Sequence, residues 1–363
     1  MFFIWLARTM TEPGSLTAAV QAGLRGRGIA SLSAGVQRLM DAYRSGEVPA
    51  APVLASGRDA AAYAAYRMPA TVAATAAAFA EVRLALPGWA PVSVLDFGAG
   101  TGGASWAVAS SLGAVTLTLL EQSAEAIRLG QAILAQSASA SLRAATWRSW
   151  HLGADAGPEA APGRADLAVA AYVLGELSGP QQEHLVALAM QAAPVVLLVE
   201  PGTPAGHRRI LAARDWLLAA GYAIAAPCPH QLSCPLAAAG DWCHFAARVQ
   251  RSALHRQAKG AELSYEDEKF SYVAAVAPPT GLPDWPAGRP GSGSTGDTPG
   301  GPDWPAGRVV RRPQQRKNLV TIDLCAATGR GVQLLVGKSK GEPYRRARKI
   351  SWGDRWEEDV AGG

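Results

Sequence analysis

The stretch Val94-Leu95-Asp96-Phe97-Gly98-Ala99-Gly100-Thr101-Gly102-Gly103 limits the fold more than any other part of the chain. Ser93-Val94-Leu95 is short, apolar and partly β-branched, as suits a strand buried on both faces. Gly98, Gly100 and Gly102 permit a sharp turn and a close backbone approach to a ligand, because no Cβ intervenes. The segment 104–112 then reads as a helix whose N-terminus presents unpaired N–H groups. A second strand follows at 115–120, and Glu121 stands at its tip, where an acid can hold a pair of ribose hydroxyls. Asp96 closes the first strand. A lone Gly-x-Gly-x-Gly is weak, and a glycine-rich turn that binds nothing is the bland reading. Loop, helix, second strand and acid in this order point to a nucleotide-type site.

The spacing acid-x-Gly-x-Gly-x-Gly resembles the first motif of class I S-adenosylmethionine-dependent methyltransferases. A nicotinamide dehydrogenase places its third glycine inside the helix, as Gly-x-Gly-x-x-Gly. The resemblance implies a Rossmann-like α/β fold with S-adenosyl-L-methionine at Asp96, Gly98, Gly100, Gly102 and Glu121. Further strands are expected at 145–150, 166–171, 195–200 and 222–226, with helices at 123–137, 180–192 and 206–220. Such alternation gives a parallel sheet with ligands at the strands' carboxyl ends, where Asp96, Glu121, Tyr172 and Glu200 fall. Helical patterns precede it at 16–43 and at 59–86, the latter interrupted at Pro69. Arg67, Pro69 and Thr71 would suit a lid or wall over the site; a kinked packing helix is the simpler reading.

Composition sets the outer bounds. The 363 residues divide into a helical region over 1–88, a methyltransferase-like domain over 89–276 with a cysteine insertion at 227–260, a Pro/Gly linker over 277–307 that is expected to be disordered, and a basic β-rich extension over 308–363. The linker holds a near repeat, Pro283–Arg289 and Pro302–Arg308, without a core-forming pattern. Residues 308–363 carry 13 Lys/Arg against 6 Asp/Glu, leaving 21 against 23 elsewhere, so the basic surplus lies in the tail. No apolar run is long enough to cross a membrane. Met1–Leu6 reads as a disordered or mis-called start, with Met10 the alternative, and not as a signal peptide.

Four cysteines are too few for a secreted disulfide scaffold. Cys228, Cys234 and Cys243 cluster, and Cys325 ends a strand of the tail. Thiolates are soft ligands. The gaps are too wide for a zinc ribbon but tolerable for a four-cysteine iron–sulfur cluster. His230 and His244 compete as fourth ligand in a zinc reading. Asp241 is expected to cap a helix running through Cys243, along which Arg248, Arg251, His255, Arg256 and Lys259 share one side. Phe270–Val276 would return as an antiparallel strand.

These pieces together resemble a specific family: small-ribosomal-subunit-associated, methyltransferase-like proteins, assembly factors of the mitochondrial ribosome with bacterial relatives. The matching residues are Tyr66–Thr71, Val94–Gly102, Val199–Pro204, Ala226–His230 with Cys234-Pro235, Asp241–Phe245, His255-Arg256 with Lys259-Gly260, Tyr265–Tyr272, Asp323–Cys325, Tyr344–Lys349 and Trp352–Asp354. The resemblance implies a [4Fe–4S] cluster on Cys228, Cys234, Cys243 and Cys325, and small-subunit ribosomal RNA as partner. Arg248, Arg251, Arg256, Lys259, Arg345, Arg346, Arg348 and Lys349 would meet phosphates, and Tyr344 and Trp352 would stack on bases. A solvated basic face is the bland reading of either patch alone.

A monomer associated with the ribosome in a bacterial cytoplasm is expected, acting in small-subunit assembly or translation. An active ribosomal RNA methyltransferase is the first alternative. The residues after the fourth strand, Ala171–Glu176, match neither a base-amine methylase motif nor a cysteine nucleophile, so no catalytic residue is identifiable. A small-molecule methyltransferase with zinc is the second alternative, and the basic tail argues against it.

Overall fold

The computed structural model describes residues 14–45, 53–153, 163–260, 262–278 and 305–358. The apolar start, most of the 153–164 loop, and the linker over 279–304 with the whole first repeat therefore lie outside the described residues.

The N-terminal helical pattern resolves into two helices, α1 (Leu16–Gly23) and α2 (Ile29–Ser45), parted at Gly26-Arg27-Gly28. Next come α3 (Gly57–Tyr66), capped by Ser56, and α4 (Met68–Ala85). Pro69 sits in the first turn of α4, where its missing N–H costs nothing. The break falls at Arg67.

The central run is β1 (Ser93–Phe97), α5 (Gly103–Ala109), β2 (Thr116–Glu121), α6 (Ala124–Leu134), α7 (Ala140–Arg143), β3 (Thr146–Ser149), β4 (Leu167–Ala171), α8 (Gly179–Ala192) and β5 (Val195–Pro201). Then follow α9 (Pro204–Ala219), β6 (Ala223–Ala226), α10 (Pro235–Ala238), β7 (Phe245–Gln250), α11 (Ala253–Lys259) and β8 (Tyr265–Val276). The tail holds β9 (Gly307–Val309), β10 (Gln314–Arg316), β11 (Leu319–Ala326), β12 (Gly331–Gly337), α12 (Glu342–Ala347) and β13 (Arg355–Trp356).

The chain forms two compact units, and the division runs through α4, β5, β7 and β8. The first comprises Met1–Phe79, Ala90–Glu200 and Ala247–Glu268. Its strands pair in parallel in the order β3-β2-β1-β4-β5. Every residue of β4 is buried, as expected of a strand covered on both faces. The order reverses between β1 and β4, so the loops leaving these strands part and open a crevice at their carboxyl ends. This is a Rossmann-like α/β fold.

The second unit comprises Ala80–Trp89, Pro201–Ala246 and Lys269–Gly363. In it β6 pairs antiparallel with β8, as expected for the returning strand. A five-stranded sheet runs β10-β11-β9-β13, with β12 on β11. Its core gathers Val309, Val320, Ile322, Leu324, Val336, Tyr344, Ala347 and Trp356.

The helix expected from Asp241 does not form. Phe245, Ala247 and Val249 are buried in alternation with exposed residues, so the segment is the strand β7. A short helix starts only after Ser252, whose hydroxyl accepts the His255 N–H. Arg248 and Arg251 are thus not on one helix with His255, Arg256 and Lys259.

Candidate functional sites

In the first unit the crevice between the β1 and β4 loops is a cavity of about 270 Å³. Gly98 and Gly100 line its floor, Glu121 and Ser123 one side, Trp150, His151 and Leu152 another, and Tyr172, Val173 and Glu176 the β4 side. Tyr63 and Leu54 close it from the N-terminal region. Gly98, Gly100 and Gly102 all have φ between +56° and +89°, the left-handed region that only glycine enters without strain. A Cβ on Gly98 would also stand 2.6 Å from Val173 Cγ2.

Glu121 braces this loop from below. Its Oε2 accepts the Gly100 N–H at 2.8 Å and its Oε1 the Ser123 N–H at 2.8 Å. Burial pushes its carboxyl pKa up, and the backbone donors pull against that. Asp96 faces inward: Oδ2 takes the Ser105 N–H and hydroxyl at 3.0 and 2.7 Å. Burial raises Asp96 to about 7. Asp96 and Gly102 therefore shape the turn from behind, while Gly98, Gly100 and Glu121 face the cavity.

Glu176 was not among the sequence-derived site residues, yet it lines the cavity. Burial, with the charges of Glu121 and Glu200 adding to it, raises its carboxyl to about 8. Tyr172 has φ +63°, a strained conformation for a side chain of this size. Its hydroxyl donates to Glu268 Oε1 at 2.9 Å, and the Arg67 guanidinium lies 4.8 Å over its ring. Arg67 is thus held against Tyr172 and Glu268 and is not among the residues that line the cavity.

The second unit brings the four cysteines to one cavity. Cys228 follows β6, Cys234 precedes α10, Cys243 precedes β7 and Cys325 lies on β11. His207, Arg214, His230 and Arg308 share the lining with Ile210, Leu236, Phe245 and Val310. None of the four cysteines is in a disulfide. Burial pushes the thiols of Cys243 and Cys325 well up, and the other cysteines add to it. His230 Nε2 lies 3.2 Å from Cys325 Sγ. Burial lowers His207 to about 4, with His244 contributing, and lowers His244 to about 4. Among the described residues, no three His, Cys, Asp or Glu side chains close on a single metal-ion position.

The basic residues separate into two kinds. Arg248 forks onto Asp267 at 2.7 and 3.1 Å and lies over the Tyr265 ring. Arg251 holds Glu266 at 2.5 Å. Arg256 and Lys259 belong to α11, which packs against α2 and α3. In the tail, Arg345, Arg346, Arg348 and Lys349 are all exposed. Tyr344 is not available to stack on a base: it is buried in the small-sheet core. Trp352 packs edge-on against His244, ring centres 4.4 Å apart.

The parallel sheet, the glycine loop at its reversal point and the acid that ends β2 define a class I methyltransferase fold, and the chain also carries a cysteine cavity. The family model described as mitochondrial small ribosomal subunit Rsm22 matches residues 57–357, and the chain belongs to this family. It is 28% identical over 312 residues to the human mitochondrial ribosome assembly protein METTL17, covering 80% of this chain. The chain spans 61% of the length of that relative. Solved structures similar to it include a putative RNA methyltransferase from Pyrococcus horikoshii, 14% identical over 55% of this chain and 81% of that one, with a TM-score of 0.35. Magnesium protoporphyrin IX methyltransferase from Synechocystis is 14% identical over 66% of this chain and 91% of its own, with a TM-score of 0.36. Among the described residues no helix is long and apolar enough to cross a membrane.

Proposed function

We propose that this chain is a ribosome-associated, methyltransferase-like factor in assembly of the small ribosomal subunit. It binds S-adenosyl-L-methionine in the glycine-loop cavity and a [4Fe–4S] cluster on Cys228, Cys234, Cys243 and Cys325. The observation that carries this reading is the meeting of those four cysteines, from three loops and a tail strand, on one cavity of an Rsm22-family chain. In a four-cysteine cluster each thiolate binds its own iron, and the bound group would tie β11 to the segments around β6 and α10. That would hold the exposed tail arginines in one arrangement for ribosomal RNA.

The methionine cofactor suits the first cavity for a separate reason. Glu121 and Glu176 line it, and two acidic side chains with no Lys or Arg among the described lining residues suit a sulfonium-bearing nucleoside better than a pyrophosphate. Glu121 stands where a ribose-binding acid would stand, at the tip of β2.

The test is an absorption spectrum of anaerobically purified protein with iron, sulfide and zinc assayed on the same sample. Iron and sulfide in equal amounts support the cluster. One zinc per chain replaces it with a site using His230 or His244. Cys234→Ser should remove both the cluster and co-sedimentation with the small subunit; retained sedimentation breaks that coupling.

A second reading is an active ribosomal RNA methyltransferase. The methyltransferase fold favours it, while Tyr172, the polar residue at the tip of β4, has its hydroxyl committed to Glu268. Labelled methyl transfer to ribosomal RNA from a deletion strain distinguishes the two. No transfer despite measured cofactor binding favours the assembly role.

A further inference from the structure

Arg214 is an unusual residue for its position. It lies on the inward face of α9 with Ile210, Ala213 and Leu217, and only 2% of it is exposed. It lines the cysteine cavity, and its charge acts on the Cys325 thiol. Nη2 donates to the Leu232 carbonyl at 2.5 Å. The acid near it, Asp215, is 3.5 Å from Nη1 with a side chain 73% exposed, so solvent screens that pair. Nε is buried with no hydrogen-bond partner among the described residues. A buried cation with a spare donor is costly unless an anion stands beside it.

The second cation of the cavity is provided for. Arg308, 3% exposed, gives Nη1 to Glu81 at 2.7 Å and to the Gly353 carbonyl at 2.8 Å. Its Nε donates to the Pro227 carbonyl, one residue before Cys228. Arg308 also sits opposite Cys325 in the β9–β11 register. Arg308 has Glu81 beside it, an acid it shares with Arg355, whereas Arg214 is paired with no buried acid among the described residues.

We infer that Arg214 is the counter-charge and sulfur-directed hydrogen-bond donor of an anionic metal–thiolate group in this cavity. The inference rests on the cluster reading above. A neutral thiol offers the guanidinium no charge; a cluster on four thiolates is an anion. A cation and an N–H beside the sulfurs favour the state with one more electron, because they offset its added negative charge. Arg214 is a positioning and tuning residue, not a ligand.

The test uses the full chain, reconstituted anaerobically with iron and sulfide and titrated with dithionite as the one-electron donor. Wild type, Arg214→Met, Arg214→Lys and Asp215→Asn are compared for iron content, midpoint potential and melting temperature of the metal-free form. Arg214→Met should shift the reduced-to-oxidised ratio at a fixed potential at least tenfold toward oxidised, about 59 mV for a one-electron couple. Its metal-free form should melt no lower than wild type, because an unmatched buried cation has been removed. Arg214→Lys should recover most of the potential, and Asp215→Asn should match wild type. Arg214→Met with wild-type iron content and potential overturns the inference while leaving the cluster reading intact. If Arg214→Met takes up no cluster, Arg214→Lys decides: loading near wild type supports the charge role, and equal failure assigns the effect to the lost Leu232 bond. A wild-type chain that takes up zinc, or nothing, overturns the cluster reading itself, before any variant is compared.

Discussion

Arg67 and Glu268, 201 residues apart in sequence, meet in a two-bond fork of 3.0 and 3.3 Å. Both side chains are largely buried, 13% and 14% exposed. Tyr172 donates to the same Glu268 oxygen that Arg67 Nη2 reaches. The cluster therefore joins the α3–α4 junction, the strained turn after β4 and the start of β8. Removing Glu268 leaves the Arg67 guanidinium largely buried without the carboxylate that matches its charge. Glu268→Ala should lower unfolding free energy by about 2–3 kcal/mol, slightly under the range for fully buried pairs because some solvent reaches this one. Urea unfolding measures it. The double variant Arg67→Ala, Glu268→Ala should lose less than the sum of the two single losses.

Two buried carboxyls, Glu176 in the cavity and Asp96 behind the glycine turn, make stability fall with rising pH. Glu176 is raised to about 8 and Asp96 to about 7 by burial, both above their ordinary values. The folded chain keeps these protons over a range where the unfolded chain has released them. Their contribution is complete below the unfolded carboxyl values and is lost as pH rises through the folded ones. Between about pH 5 and about pH 8 the urea midpoint of the ligand-free protein should drop, and Glu176→Gln should flatten part of that slope. An unchanged slope in the variant would place the titration elsewhere.

Gly98→Ala tests whether the glycine loop is a binding surface or only a turn. The new methyl would sit at φ +63° and meet Val173 at 2.6 Å. Both the strain and the displaced Val173 act on the cavity wall. Calorimetry with S-adenosyl-L-methionine should show at least a tenfold weaker association, about 1.4 kcal/mol. Gly179→Ala provides the control: its Cβ meets nothing within 4 Å.

The first unit was legible because its signals are local. The strands β1, β2, β4 and β5 are largely apolar runs, and each falls within a residue or two of its expected limits. The second unit was less so. The capping residue Asp241 and the recurrence of Arg248, Arg251, His255, Arg256 and Lys259 on one side suggested a helix, but the period-two burial of Phe245, Ala247 and Val249 decided for a strand. That alternation was present in the sequence and outweighed helix propensity once β8 offered a pairing edge. Cysteine spacing alone left zinc and iron–sulfur open, because Cys325 reaches the cavity only through the tertiary fold of β11. Arg214 and Glu176 gave no sequence signal. A charged residue on a helix or after a strand reads as solvated until its burial is known.

The last prediction separates the two basic groups. Arg248 is neutralised by Asp267 and Arg251 by Glu266, so neither brings a full free charge to a phosphate. Arg345 pairs with Glu342, and Arg346 lies 3.8 Å from Glu358. Arg348 and Lys349 are exposed just beyond α12, at the end of the tail's basic run. If the tail meets ribosomal RNA, these two should carry most of its salt-dependent affinity. Arg348→Gln with Lys349→Gln should weaken binding to small-subunit RNA and flatten the plot of log affinity against log salt by roughly 1.4, at about 0.7 per single-strand phosphate. Arg248→Gln should change that slope by well under half as much, since its partner Asp267 already screens it. A double variant with an unchanged slope would remove the tail from the RNA interface.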